Sequence, residues 1–550
     1  MIGQLNNIIR RVKAKFSIGT EGNHLRRERQ SRRWLKKYGT LNDGQIAEIS
    51  KRISRMDRLP LISILLPVYN VDERWLRKAI ESVTAQIYEK WELCIADDCS
   101  PSAHVRKVLE EYQRSDARIK VVFRTENGHI SAASNSALEL VIGEFTAFLD
   151  HDDELAPNAI YEIAAAIADS PNIKLIYSDE DLIDENGRRF NPRFKPGFGV
   201  DVCYAGNPAT HLVAYSTATL REVGGFRSEF DGSQDHDLLL RVLESVEAKQ
   251  VHHIPRILYH WRTIEGSVAL SNDGKSYAIE RARTAIQKHF ERTETKARSV
   301  AGFEGLHRAI YDLPTPRPTV GVFLLGGTNV CELDYPEIEL VVLDPTRAIC
   351  KAINEAARKC RADVFCFIDG TTTEVKSGSI NELVGQAIQK GVGAVGGLIV
   401  SNDVIISAGQ IIGIRGEIGD AFAGLPLEQQ TAHQRLLMTQ NVSSVSNRFM
   451  AISRNSFTEI SGLDESFGIR CGITDLCLRL MKSGYRNIWT PFAVADQNGS
   501  ASPDPATDLD RLRERWFKFF NGDPFYNLNL STANDDYSLA FPPRIDLYQA

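Results

Sequence analysis

A 550-residue chain with 43% hydrophobic and 25% charged residues and a net charge of −6 has the make-up of a globular protein with material for two or three domains. No apolar run approaches the ~18 residues needed to cross a bilayer, which excludes a membrane-spanning helix. Nine cysteines with no CxxC spacing, in a chain that opens without a signal peptide, exclude a disulfide scaffold and a structural zinc site and point to the cytoplasm.

The charge is unevenly spread. The first 58 residues carry fifteen Lys/Arg against five Asp/Glu, so the remainder is acidic. Residues 1–59 mix Arg10, Arg11, Lys13, Lys15, Arg26, Arg27, Arg29, Arg32, Arg33, Lys36 and Lys37 with Ile8, Ile9, Val12, Phe16, Trp34 and Leu35. Helical spacing puts the apolar residues on one face and the cations on the other. Two readings stay open: a peripheral helix on anionic lipid at the inner face of the plasma membrane, or a basic helical segment packed on the next domain or partly disordered. No base-reading motif follows, so nucleic acid is not an expected partner.

From Pro60 strands and helices alternate. Leu61 to Val68 reads as a buried strand, Glu73 to Gln86 as an amphipathic helix, Leu93 to Ala96 as a strand and Val105 to Tyr112 as a helix. Ile119 to Phe123 is a third strand, Ser131 to Val141 a helix and Phe145 to Leu149 a fourth strand. This alternation predicts a parallel sheet covered on both faces, with ligands at the carboxyl ends of the strands. Those ends carry Pro67-Val-Tyr-Asn70, Asp97-Asp98-Cys-Ser100, Arg124-Thr-Glu-Asn-Gly128 and Asp150-His-Asp-Asp153. The first strand–helix turn has neither GxGxxG nor GxxxxGKS, which argues against a dinucleotide or P-loop site.

Asp150, Asp152 and Asp153 repel one another unless a cation joins them, and an all-oxygen site suits Mg²⁺ or Mn²⁺. A solvated acidic turn with Asp153 capping the next helix fits the residues as well. A helix from Pro157 to Ala168 and a strand from Ile173 to Tyr177 lead to a second acidic group, Ser178-Asp-Glu-Asp181, with Phe194-Lys-Pro196 beyond it. Gly232-Ser-Gln-Asp235-His-Asp237 opens a helix with Leu238, Leu239, Val242 and Leu243 on its apolar face; two acids in a first turn also suit the helix dipole. Pro255-Arg-Ile-Leu-Tyr-His260-Trp-Arg262 follows a strand-like pattern.

The order PVYN, ADDCS, NGHISAASN, FLDHDDEL and GSQDHDLLLR, within about residues 60–269, resembles family 2 glycosyltransferases of the GT-A fold, most of all the bacterial branch that builds O-antigen and other surface polysaccharides. The resemblance implies an α/β, Rossmann-like, mostly parallel sheet with helices on both faces. It implies nucleotide-sugar contacts at Pro67, Tyr69, Asn70, Asp98, Asn127, Gly128, Asp150 and Arg262, and Mn²⁺ or Mg²⁺ on Asp152, assisted by Asp150 and His260. Asp235 falls on the catalytic base of an inverting transfer, and Asn135 on a residue that orders the donor loop. Asp179, Gln234 and Trp261 are expected toward a glycan or lipid-linked glycan acceptor. One departure is that many members carry Arg where this chain has Ser134.

Beyond a helix from Tyr277 to Glu291 and the Pro314-Thr-Pro-Arg-Pro318 linker, the pattern restarts: strands at Val320 to Leu325 and Ile338 to Leu343, a helix at Ala352 to Lys359, and a strand from Val364 to Ile368 ending in Asp369-Gly-Thr371. Asp475-Leu-Cys-Leu-Arg479 echoes Asp237-Leu-Leu-Leu-Arg241, and Pro491 to Asp496 echoes Pro255 to His260. In that register Asp152 becomes Thr371, Asp235 becomes Ile473, His260 becomes Asp496 and the Asp97-Asp98 pair becomes Asp344-Pro345. The expected organisation is therefore a basic helical segment (1–59), a catalytic GT-A domain (60–300) and a degenerate GT-A-like domain (301–550). The expected activity is inverting, metal-dependent hexosyl or deoxyhexosyl transfer. A bifunctional polymerase and a non-catalytic glycan-binding scaffold are the competing readings.

Overall fold

The computed structural model describes residues 17–264, 275–326, 331–343, 348–498 and 504–549. Ile8, Ile9, Val12, Phe16 and the Asp344-Pro345 pair lie outside the described residues. By its internal contacts the chain forms two units. The first takes in residues up to Phe198, Asn207–His289 and Leu539 onward; the second takes in Gly199–Gly206 and Phe290–Ser538.

The strands of the first unit are β1 (Ile62–Val68), β2 (Trp91–Asp97), β3 (Ile119–Phe123), β4 (Phe145–Phe148), β5 (Glu154–Leu155), β6 (Leu175–Ile183), β7 (Arg189–Arg193), β8 (Val213–Ser216) and β9 (Val251–Arg262). They form one sheet in the order β3-β2-β1-β4-β8-β6-β9-β5, with β7 on β6. The half from β3 to β4 is parallel. Beyond it the sheet is mixed: β8 runs antiparallel to both β4 and β6, while β6 and β9 are parallel. β1 and β2 are buried at every position, as strands covered on both faces must be. The helix Glu73–Thr84 starts where Asp72 accepts a hydrogen bond from Arg74 N (2.8 Å), and it buries Trp75, Leu76, Ala79, Ile80 and Val83 as one stripe.

Two helices precede the sheet, Ser17–Tyr38 and Asp43–Ile53, the second opened by a capping box between Asn42 and Gln45. Trp34 and Leu35 are buried against Ile257, with Phe194 and Leu539 packed alongside, and Trp34 Nε1 donates to Ala540 O (2.9 Å). These two apolar residues therefore cover their own domain. Arg32, Arg33, Lys36 and Lys37 are exposed. No helix among the described residues is long and apolar enough to cross a membrane, and all nine cysteines are free thiols.

The strands of the second unit are β10 (Ala297–Ala301), β11 (His307–Tyr311), β12 (Val320–Leu325), β13 (Ile338–Val342), β14 (Val364–Asp369), β15 (Thr372–Val375), β16 (Val392–Ser401), β17 (Val404–Ser407), β18 (Gln410–Ile414), β19 (Glu417–Asp420), β20 (Gln440–Asn441), β21 (Phe449–Ser453) and β22 (Arg486–Gln497). β10 and β11 pair as one hairpin and β18 and β19 as another. The main sheet runs β13-β12-β14-β21-β16-β22-β15. Strand for strand this repeats the order β2-β1-β4-β8-β6-β9-β5, and each pairing keeps its sense.

Two side-chain networks repeat as well. Arg241, paired with Asp237 at 2.8 Å, donates to Val223 O and Gly225 O; Arg479, paired with Asp475 at 2.7 Å, donates to Ile460 O and Gly462 O. The amide of Asn135 closes on both backbone groups of Phe226 (2.9 Å each), as that of Asn354 does on Leu463 (2.8 and 2.9 Å). Guanidinium and amide groups withdrawn wholly or partly from water need their hydrogen bonds met, so the repetition of both networks with equivalent partners marks two copies of one architecture.

Candidate functional site

The carboxyl ends of β1, β2 and β4 open into a cavity of about 660 Å³ in the first unit. β8 runs antiparallel to β4, so the residues entering β8 arrive at the end where β4 leaves. Asp150 and Asp152 line this cavity together with Asp235 and Gln234 from the start of the helix Gln234–Leu243.

Asp150, Asp153 and His211 bring possible ligand atoms within 4.8 Å of one another. His211 lies between two carboxylates, with Nε2 3.6 Å from Asp150 and Nδ1 3.5 Å from Glu180. Its ring stacks on Tyr259, with centroids 4.7 Å apart. Burial opposes a charged imidazole, yet Asp150 and Glu180 raise His211 to about 10. Burial alone would push Asp150 up; His211 more than offsets it and holds that carboxyl below its ordinary range. Asp152 is raised by burial and the charge of Asp150, and Asp153 is raised further by burial and both neighbours. Crowded carboxylates beside one imidazole form a donor set that a divalent cation would relieve, and Mg²⁺ or Mn²⁺ suits it.

The members of this cluster are held differently. Asp153 is buried and spent on structure: it accepts from Tyr259 Oη (2.6 Å) and Arg262 N (2.7 Å). Asp152 is half-buried and is anchored through its backbone, where Arg262 Nε donates to its carbonyl (2.7 Å). The Phe194-Lys-Pro196 motif steadies the His211 segment, because Lys195 Nζ donates to Thr210 O and to His211 O (2.7 Å).

Tyr69 is 47% exposed and lines the same cavity, as do Pro67 and Asn127. Asp98 is buried and rigid, accepting from Arg124 Nε (2.7 Å) and Gly128 N (3.0 Å), while Asn127 Nδ2 donates to its backbone carbonyl (3.3 Å). Arg124 is thus the guanidinium beside the acidic pair in a chain with Ser134 on the cavity wall. Asn70 does not line the cavity; it turns through a positive φ of 46° and donates its N–H to Ser100 Oγ (2.8 Å). Gly128 acts through its backbone N–H.

At the start of the helix Gln234–Leu243, Asn207 Nδ2 donates to Asp235 Oδ2 (2.8 Å) while its own Oδ1 accepts from Ala209 N (3.0 Å). The second bond fixes which way the amide faces. Asp235 therefore has one oxygen held by a donor.

Three expectations are corrected. His260 and Arg262 sit on a strand, where side chains alternate, and it is Tyr259 and Trp261 that line the cavity. His260 Nδ1 bonds to Asp181 (2.7 Å), and Arg262 is buried on Trp75 with bonds to Glu154 and the backbone of Asp152. Neither is placed as a metal or diphosphate contact. Asp179, expected toward the acceptor, lies instead with the rest of Ser178–Asp181 within β6, fully buried. Asp179 is bonded to Lys195 N (2.9 Å) and His253 (2.8 Å).

The sequence reading passed over His211 and Asn207. Both precede a four-residue strand too short to show a hydrophobic pattern, and only its antiparallel pairing with β4 brings them to the site.

In the second unit the equivalent positions carry other groups. The β1–β4 register sets Ile62 beside Phe145, and the β12–β14 register sets Val320 beside Val364, so Asp150 corresponds to Asp369 and Asp152 to Thr371. The β4–β8 and β14–β21 registers match His211 with Arg448. Arg448 Nε lies 3.5 Å from Asp369, Thr371 Oγ1 donates to Asp369 (2.6 Å), and Ile473 is fully buried. A fixed guanidinium neutralises the carboxylate that in the first unit faces His211.

The family model described as Glycosyl transferase family 2 matches residues 63–210. An uncharacterized protein, y4gI, of Sinorhizobium fredii is 35% identical over 92% of this chain and 61% of its own length. The O-antigen biosynthesis protein RfbC of Myxococcus xanthus is 28% identical over 91% of this chain and 42% of its own length. The chain thus spans less than two thirds of each of these relatives, and both matches cover both units. Among solved structures, S. aureus TarS 1-349 in complex with UDP-GlcNAc is 21% identical over 42% of this chain and 66% of that chain, with a TM-score of 0.35.

Proposed function

We propose that the first unit, whose residues 63–210 match the model described as Glycosyl transferase family 2, transfers a sugar, with inversion, from a nucleotide-sugar donor to a glycan or lipid-linked glycan in surface polysaccharide synthesis. The observation that carries this reading is one cavity lined by both the Asp150/Asp152 pair and Asp235. Tyr69 offers a face for the base, and Asp98, preset by Arg124 and Gly128, presents a fixed wall to the nucleoside. Asp150, Asp152 and His211 would hold a divalent cation, which supplies positive charge against the departing diphosphate. Asp235 takes the proton of the acceptor hydroxyl, whose oxygen bonds to the anomeric carbon from the face opposite the breaking bond to the diphosphate. Asn207 keeps Asp235 oriented for that step. The O-antigen relative supports the surface-polysaccharide assignment.

The second unit is proposed to keep the fold without the chemistry. Ile473 cannot accept a proton, and Arg448 already pairs with the carboxylate equivalent to Asp150. The exposed cations Arg32, Arg33, Lys36 and Lys37 are a candidate peripheral contact with anionic membrane.

A panel of nucleotide sugars screened by thermal shift with Mn²⁺ tests the donor reading. A true donor at about 100 times its Kd should raise the Tm by roughly 2–5 °C, and EDTA should cancel the shift. No response across the panel would contradict the reading.

A further inference from the structure

Two exposed tyrosines face the cavity, and the donor reading uses only one. Tyr277 is 52% exposed and lines the same cavity as Asp235. Its ring is held against the loop that delivers Asp235. A Cβ on Gly232 would meet Tyr277 Cε2 at 2.7 Å, and the φ of +94° at Gly232 is one that other residues rarely adopt, so the glycine makes room for the ring. Ser233 Oγ donates to Ala278 O (2.8 Å), joining the helix Lys275–Arg292 to the start of Gln234–Leu243. The Arg281 guanidinium lies 5.2 Å from the ring centroid and is itself bonded to Asp231 O. Held in this way, the ring still keeps about half of its surface exposed in the wall that carries Asp235.

We propose that Tyr277 is the platform of an acceptor-sugar subsite, built to take the apolar C–H face of a pyranose while a hydroxyl of the same ring reaches Asp235. A pyranose has one face of axial C–H groups and a rim of hydroxyls, which matches a bare aromatic ring beside Gln234 and Asp235. The nucleotide is assigned instead to Tyr69, Asp98 and Asn127, which follow the carboxyl ends of β1, β2 and β3 in the same cavity. The inference rests on the transferase reading, and its test keeps the two apart.

The experiment uses the full chain with Mg²⁺. UDP, GDP and dTDP are titrated by calorimetry. Methyl β-D-glucopyranoside, methyl β-D-galactopyranoside and methyl α-L-rhamnopyranoside are examined by saturation-transfer NMR. At least one pyranoside should bind the wild type with the strongest saturation on the C–H protons of one face. That signal should fall about 5-fold or more in Tyr277→Ala and persist in Tyr277→Phe, the loss expected on removing an aromatic stack. Nucleotide affinity should be the same in all three proteins. Pyranoside binding that survives in Tyr277→Ala, that fails equally in Tyr277→Phe, or that is absent from the wild type would overturn the subsite. So would a parallel loss of nucleotide in Tyr277→Ala, which would move the ring to the donor. If no nucleotide binds the wild type, the transferase reading fails instead.

Discussion

Asp152→Ala is expected to lower sugar transfer by about 10²–10³-fold or more, the scale seen when a group stabilising transition-state charge is removed, without lowering thermal stability. Both halves follow from how the residue is held. Its carboxylate lines the cavity, where it adds repulsion to Asp150 and Asp153, while its structural bond, from Arg262 Nε, is made by the backbone carbonyl and survives the substitution. Asp153→Ala should do the opposite. It strips the acceptor from Tyr259 Oη and Arg262 N, two buried donors, and should cost about 1–3 kcal/mol for each one left unsatisfied. Thermal melts beside transfer assays on the two variants separate a functional carboxylate from a structural one one position away. A Tm for Asp152→Ala well below wild type would contradict this division.

Asp235→Asn should cost about 10²–10⁴-fold in kcat, the usual contribution of a positioned general base, and leave donor binding in place. Asparagine matches aspartate in shape and still offers an oxygen to Asn207 Nδ2, so the local bonding pattern is preserved. What disappears is the ability to take a proton. The measurement is steady-state transfer alongside thermal-shift affinity for the donor; a loss under tenfold would remove Asp235 from the role of base.

Much of the fold was legible because the first unit begins with strands buried on both faces. β1 and β2 show as mainly apolar runs, and the helix Glu73–Thr84 between them carries a one-sided stripe. The mixed half was harder. β6 contains Ser178–Asp181, a stretch that reads as a solvated turn until Arg189, Arg193, Lys195, His253 and His260 are seen to pair its acids inside the sheet. Local polarity misleads there because the partners of the acids stand on other elements: on β7, on the segment following it, and on β9, which is distant in sequence. Alternation along β9 was readable in principle: Tyr259 and Trp261 fall on one face, His260 and Arg262 on the other, so assigning His260 and Trp261 to one cavity set two neighbours against the strand's period of two. The repeat was legible from the restarted strand–helix pattern and from the echoes at Asp475–Arg479 and Pro491–Asp496. Its second half, the match of Asn354 with Asn135, lay in unlike surroundings and emerged only from the hydrogen bonds.

The same comparison bears on what the second unit does. Replacing His211 by Arg448 exchanges an imidazole, which can give up its proton and ligate a cation, for a guanidinium that cannot, and replacing Asp152 by Thr371 removes an anionic ligand. A polymerase with two working centres would need both changes undone. A duplicated fold whose second copy is electrically closed fits the registers better.

Counting tightly bound Mn²⁺ by electron paramagnetic resonance, on the full chain and on its Asp152→Ala and Asp369→Ala variants, tests the central claim most directly. One ion per chain is predicted, lost in Asp152→Ala and unchanged in Asp369→Ala. Two ions in the wild type, or an ion that survives in Asp152→Ala and leaves with Asp369→Ala, would contradict the assignment of the chemistry to the first unit.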